Sequence, residues 1–100
     1  MEHTVRDNPT RQRYELVIDD QIVSIADYRT DGTTLVVPHV ETDPRFRGRG
    51  MADRLMAGML ADLRETERTI RPLCPFAARY IDDHADTRDL LADGRPFDRD

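Results

Sequence analysis

Apolar positions follow two different periods along the chain, and the change of period falls near its middle. Between Arg13 and Ile18, the residues Tyr14, Leu16 and Ile18 alternate with Arg13, Glu15 and Val17. A period of two belongs to a strand with one buried face. Asp19-Asp20 interrupts the pattern, and Ile22 to Tyr28 resumes it with less regular alternation. Asp31-Gly32 then stands between two extended runs. That predicts a hairpin, since a type I′ turn needs positive φ at both central residues. Thr33 to Glu41 reads as a third strand carrying Leu35, Val36, Val37 and Val40. Pro38 lies inside it without an N–H to donate, so the strand is expected to bulge or lie unpaired there.

After a polar loop from Thr42 to Arg49, the period lengthens. Met51, Leu55, Met56, Met59, Leu60 and Leu63 form the stripe of an amphipathic helix. It is expected to run from Gly50 to about Glu67. Thr69 to Leu73 reads as a short strand, and Phe76 to His84 as a second helix with Pro75 in its first turn. Asp86 to Leu91 completes the pattern as a last helical turn. Residues 1–11 are polar and carry Asn8-Pro9, which predicts a flexible arm. The folded domain is then 12–91, with 92–100 a tail.

The unit that fixes the fold class is strand–loop–helix–strand over 33–73. A crossover through a helix places its two strands parallel and right-handed in one sheet. The expectation is an α/β (α+β) fold: a mixed sheet in which an antiparallel meander feeds one parallel pair through a crossover helix. Ligands of such sheets sit at the carboxyl ends of the parallel strands. Glu41, the Arg47–Ala52 loop and Cys74 all fall at that end.

Composition narrows the picture. One hundred residues, 38% hydrophobic and 35% charged, suit one domain with a modest aliphatic core. No stretch approaches the ~18 apolar residues of a membrane span. A single cysteine, Cys74, excludes an internal disulfide and suits a reducing, cytoplasmic compartment. All fifteen basic residues are Arg, and the net charge is −5. This balance argues against a nucleic-acid partner, which leaves a basic footprint. Arg45, Arg47 and Arg49 nevertheless make a local basic patch.

The loop Arg47-Gly48-Arg49-Gly50-Met51-Ala52 is the first candidate for chemistry. Glycines entering a helix allow close backbone approach, and the first-turn N–H groups with the helix dipole attract anions. Flanking Arg side chains add donors suited to phosphate. The loop lacks the Gly-Lys-Ser/Thr ending of a P-loop and the third glycine of a dinucleotide fingerprint. His3, His39, His84 and Cys74 have no metal-ligand spacing, so no metal is expected.

Arg47-x-x-Gly50-x-Ala52 resembles the Gln/Arg-x-x-Gly-x-Gly/Ala signature of the GCN5-related N-acetyltransferase superfamily, placed between a central strand and the long helix. Leu73-Cys74-Pro75-Phe76 followed by Tyr80-Ile81 and His84, with Pro38-His39-Val40-Glu41 and the short length, is similar to the compact single-domain, YjdJ-type subgroup. The resemblance covers roughly residues 12–91. It implies an acetyl-CoA-dependent N-acetyltransferase. Gly48 to Ala52, with Arg47, would cradle the pyrophosphate, Arg49 and Met51 lying within that loop. Main-chain groups of Val40, Glu41 and Thr42 would pair with the pantetheine arm.

For catalysis the resemblance points to Glu41 as base, with His39 on the same strand face as an alternative. Tyr80 takes the place of the acid that protonates the departing thiolate. A Cys74–His39 pair would permit a two-step route through an acetyl-cysteine. No room remains for the helix pair that roofs the acceptor site of larger relatives. An open acceptor face follows, for an amine on a protein Lys or N-terminus, in a monomer or weak homodimer. The alternative is a module that binds CoA or acetyl-CoA with little catalysis.

Overall fold

The computed structural model describes residues 2–92. Five strands form one sheet in sequence order: β1 (His3–Asn8), β2 (Arg13–Ile18), β3 (Gln21–Asp31), β4 (Thr34–Thr42) and β5 (Thr69–Pro72). β1 to β4 are antiparallel neighbours, and β4 pairs parallel with β5. A helix, α1 (Met51–Glu65), makes the crossover, and α2 (Pro75–Asp83) follows β5. Short 3-10 turns occupy Pro44–Phe46 and Ala85–Leu90. The mixed sheet expected from the 33–73 unit is present, with helix and strand limits within about two residues of the pattern except at the end of β3, which runs three residues beyond Tyr28.

α1 packs across all five strands. Its stripe of Met51, Leu55, Met56, Met59, Leu60 and Leu63 is buried against Tyr14, Leu16, Ala26, Leu35, Val37 and Ile70. α2 lies beside α1 over β4 and β5, burying Ala77 and Ile81 in the same core. The sheet face turned away from α1 holds the alternate residues, among them Arg6, Arg13, Glu15, Ile22, Ile25, His39 and Glu41.

Residues 1–11 correct the expectation of a flexible arm. His3–Asn8 pairs in register with Arg13–Ile18, and Val5 packs on the core. The segment is polar because it is an edge strand. Its outward positions hold Arg6 and Asn8 for Glu15, and only Val5 contributes an apolar side chain inward. Gly58, in the middle of α1, is the counterpart: a Cβ there would fall 2.5 Å from the Val5 side chain. The helix carries a glycine where the strand crosses closely beneath it. Of the expected 92–100 tail, residues 93–100 lie outside the described residues.

The turns also differ from expectation. Asp31 pairs with Thr34, so the β3–β4 loop is Gly32-Thr33, and only Gly32 of the two has positive φ. That is the sign pattern of a type II′ turn, with Gly first. The doubly left-handed pair is Asp19-Asp20 (φ 50° and 66°), which joins β2 to β3.

Pro38 does what its missing N–H dictates. Asp27 pairs with His39 and Arg29 with Val36, leaving Val37 and Pro38 opposite Tyr28. This is a bulge on β4. The parallel ladder stops at the same point, Val37 being the last β4 residue paired with β5. The Val37 carbonyl then accepts from the amides of both Leu73 and Cys74 at 3.0 Å. From Pro38 to Thr42, β4 runs on with β3 alone as its partner.

Candidate functional site

The four residues after the bulge, His39 to Thr42, divide the candidate site into two sides. Val40 faces the core, paired with Ala26. His39 and Glu41 face away from α1, both about half exposed, and His39 Nε2 lies 2.9 Å from Glu41 Oε1. Alternation along one strand produces this pair without any contribution from distant sequence. Ser24, almost fully buried on β3, donates its hydroxyl to the Glu41 carbonyl at 2.9 Å and pairs with Thr42 Oγ1 at 3.0 Å. Ser24 was not anticipated; a lone serine in an extended run gives no signal until its partner strand is known.

After β4, Asp43 caps the turn that follows and takes a two-pronged contact from Arg45, at 3.2 Å (Nε) and 2.9 Å (Nη2). Arg45 is therefore committed, and it holds the Asp43 carboxyl below the ordinary carboxylate range. The expected patch of three arginines is reduced to two. Arg47 donates from Nε to the Thr42 carbonyl at 3.3 Å. Arg49 makes no side-chain hydrogen bond or ion pair among the described residues.

Gly48 and Gly50 have φ of 77° and 75°, conformations that a side chain would strain. Gly50 begins α1 without any side-chain cap, so no side chain covers the first-turn N–H groups. A concavity of about 270 Å³ opens there. Thr42, Arg47, Gly48, Gly50, Met51 and Ala52 line it, together with Phe46, Phe76 and Asp53, whereas Val40 and Arg49 are not among its lining residues. The two phenylalanines were missed as site residues. Phe76 comes from α2, and only the folded chain brings it to the α1 N-terminus.

The remaining candidates are distributed unevenly. Cys74 is a buried free thiol in the hydrophobic core cluster, at the N-cap of α2. His39 is hydrogen-bonded to Glu41 on the exposed face, so the structure pairs His39 with the carboxylate and not with Cys74. Tyr80 packs against the core and stacks on His84, ring centroids 3.9 Å apart. Burial, with Asp53 and Asp86 nearby, raises its hydroxyl above the usual phenol range, which keeps it protonated. Among the described residues no group of His, Cys, Asp and Glu is arranged to hold a metal ion, and no helix is long and apolar enough to cross a membrane.

The uncapped helix start, Arg47 and two left-handed glycines share one concavity, beside the stretch of β4 that pairs with β3 alone. Comparison with known proteins agrees with that architecture. The NMR solution structure of a GCN5-like protein from Staphylococcus aureus superposes with a TM-score of 0.69, covering 96% of this chain and 91% of that one at 14% identity. No curated protein matches the chain. The family profile described as GCN5-related N-acetyl-transferase matches residues 13–90. This span holds β2 through the last 3-10 turn, and the chain belongs to the GCN5-related N-acetyltransferase family of acyltransferases.

Proposed function

We propose that this acyltransferase moves an acetyl group from acetyl-CoA to a primary amine. The observation that carries the reading is the concavity at the start of α1, where Gly48 and Gly50 lead into an uncapped first turn whose N–H groups are available to a pyrophosphate, with Arg47 beside them. Arg47, Arg49 and the amides from Gly48 to Ala52 would hold that group, with Phe46 and Phe76 as apolar walls. The free edge of β4 from Val40 to Thr42 would pair with the pantetheine arm as a strand pairs with its neighbour. The CoA thioester supplies the activated acetyl group.

The chain's own groups divide the proton traffic. Glu41, hydrogen-bonded to His39, takes a proton from the acceptor ammonium, since only the free amine is nucleophilic. Tyr80, held protonated by its surroundings, returns a proton to the leaving thiolate. Cys74 remains a core residue in this reading, and the amine attacks directly.

Calorimetric titration of the purified protein with acetyl-CoA, with CoA in parallel, tests the cofactor assignment. Micromolar binding is the expected result, and silence up to millimolar concentration overturns it. Glu41→Gln then separates an enzyme from a binding module: binding is retained and turnover falls. The chain contains no Lys, so acetyl-lysine formed in an assay comes only from the acceptor.

A further inference from the structure

On the far side of residues 41–44 from the glycine loop lies a second concavity, of about 360 Å³, which the cofactor reading touches only at the main chain of Glu41. Ile22 and Ile25 of β3 form its apolar part, Glu41 and Asp43 stand at one end, and Arg13 stands at the other. Ile22 is one of two large hydrophobic side chains that remain exposed among the described residues, at 39%. The charges in the groove are not equivalent. Arg13 is bound through Nε to the buried Glu15 at 2.8 Å, and Asp43 is held by Arg45. Glu41 shares only Oε1, with His39, and Oε2 has no partner among the described residues. The groove therefore offers one available carboxylate beside an apolar floor.

We infer that this groove binds the acceptor as a peptide segment carrying a primary amine next to a large apolar side chain. The ammonium docks at Glu41 and the apolar neighbour covers Ile22 and Ile25. Charge complementarity favours this occupant: a cation finds the unshared carboxylate, while an anionic segment would meet Glu41 and Asp43 together. The apolar floor distinguishes a peptide from a small polyamine, which would leave Ile22 in water. The inference rests on the proposed acetyl transfer and names its acceptor class.

The test is an amide NMR titration of the full chain in two arms. One arm adds acetyl-CoA. The other adds a short peptide with one Lys preceded by Leu in a Gly/Ser background, N-terminally blocked. The expected result is that acetyl-CoA shifts Val40 to Asp53, Glu41 among them, whereas only the peptide shifts Ile22 and Ile25. Ile22→Ser should weaken peptide binding about tenfold, the change expected on losing one apolar contact of roughly 1.4 kcal/mol. The same variant should leave acetyl-CoA affinity unaltered, and so should replacing the peptide's Leu by Gly in wild-type protein, at a similar cost in peptide affinity.

Acetyl-CoA shifts without peptide shifts at residues 22–25 overturn the groove and leave the enzyme reading standing. An absence of acetyl-CoA shifts overturns the enzyme reading itself. Peptide binding that ignores the Leu, or that persists undiminished in Ile22→Ser, also overturns the groove. So does saturation of these residues by a second copy of the chain, read as concentration-dependent shifts without peptide.

Discussion

Arg6 and Arg13 on the sheet face, and Arg47 and Arg49 at the start of α1, stand in equally polar local sequence, yet the fold treats them oppositely. Arg6 Nε and Arg13 Nε close on Glu15 at 2.9 Å and 2.8 Å, and Asn8 Nδ2 completes the set at 3.1 Å. Glu15 is 0% exposed, and its three donors satisfy it fully. Burial pushes its carboxyl upward, but the hydrogen bonds from Arg13, Arg6 and Asn8 outweigh burial and hold it below the ordinary value. Arg47 donates only to a carbonyl, at 3.3 Å, and Arg49 makes no side-chain hydrogen bond or ion pair among the described residues. The first arrangement is closed and serves stability. The second leaves donors and amides unengaged at a helix start, and that is where an anion has something to gain. The proposed function is located by what the fold leaves unsatisfied, and arginine content by itself does not reveal it.

The comparison breaks most visibly at Glu15. Glu15→Ala should cost about 3 kcal/mol, because it leaves two guanidinium groups and an amide without their shared acceptor. Chemical denaturation reads that loss, while the fraction still folded should bind acetyl-CoA as before. Acid should act in the same direction on the wild type. A carboxyl depressed in the folded state contributes stability that is complete above its unfolded pKa and is lost as pH falls through the folded value. Denaturation midpoints should therefore decline with acid below the ordinary Glu range, and Glu15→Gln should flatten that decline. A steep wild-type decline that survives in Glu15→Gln would assign it to other carboxyls.

The open side should respond in binding and not in stability. Ala52→Glu places a carboxylate among the first-turn amides and should weaken acetyl-CoA about a hundredfold, with stability within about 0.5 kcal/mol of wild type. Calorimetry and thermal unfolding of the one variant read both quantities. Unchanged affinity would remove the loop from the cofactor site. Arg49→Ala should weaken acetyl-CoA about fivefold and lower the salt dependence of binding, since an exposed phosphate contact is screened. Cys74→Ala gives the smallest functional change. Turnover within about twofold of wild type is expected for direct attack, alongside roughly 1 kcal/mol of lost core packing. Loss of turnover with intact acetyl-CoA binding would restore the acyl-cysteine route.

The legible parts of the fold were those written in local periodicity. The α1 stripe, the strand alternation around Tyr14, Leu16 and Ile18, and the Pro38 bulge each depend on geometry that repeats or fails within a few residues. β1 was not legible, because an edge strand whose inward positions include a single Val shows no alternation of its own. Gly58 carried the signal indirectly, as a glycine in an otherwise good helix. The turn types were misassigned for a related reason. Asp-Gly and Asp-Asp both tolerate left-handed backbone, and strand register decides which pair occupies the central positions.

The candidate site divides along the same line. Contiguous residues, Arg47 to Ala52 and the His39/Glu41 alternation, were readable because their relative placement follows from a single loop and a single strand. Phe76, Ser24 and the Ile22–Ile25 groove were not, since each acquires its neighbours through pairings across the sheet or the packing of α2 beside α1. The sequence by itself determined the two periods, their order, the glycine-opened helix and thus the mixed sheet. Only the tertiary structure decided which arginines are held by carboxylates and which remain available. Hydrogen-bond partners are assigned by distances in space, so Arg6 finds Glu15 9 positions away and Arg68 finds Tyr14 54 positions away once the chain has folded.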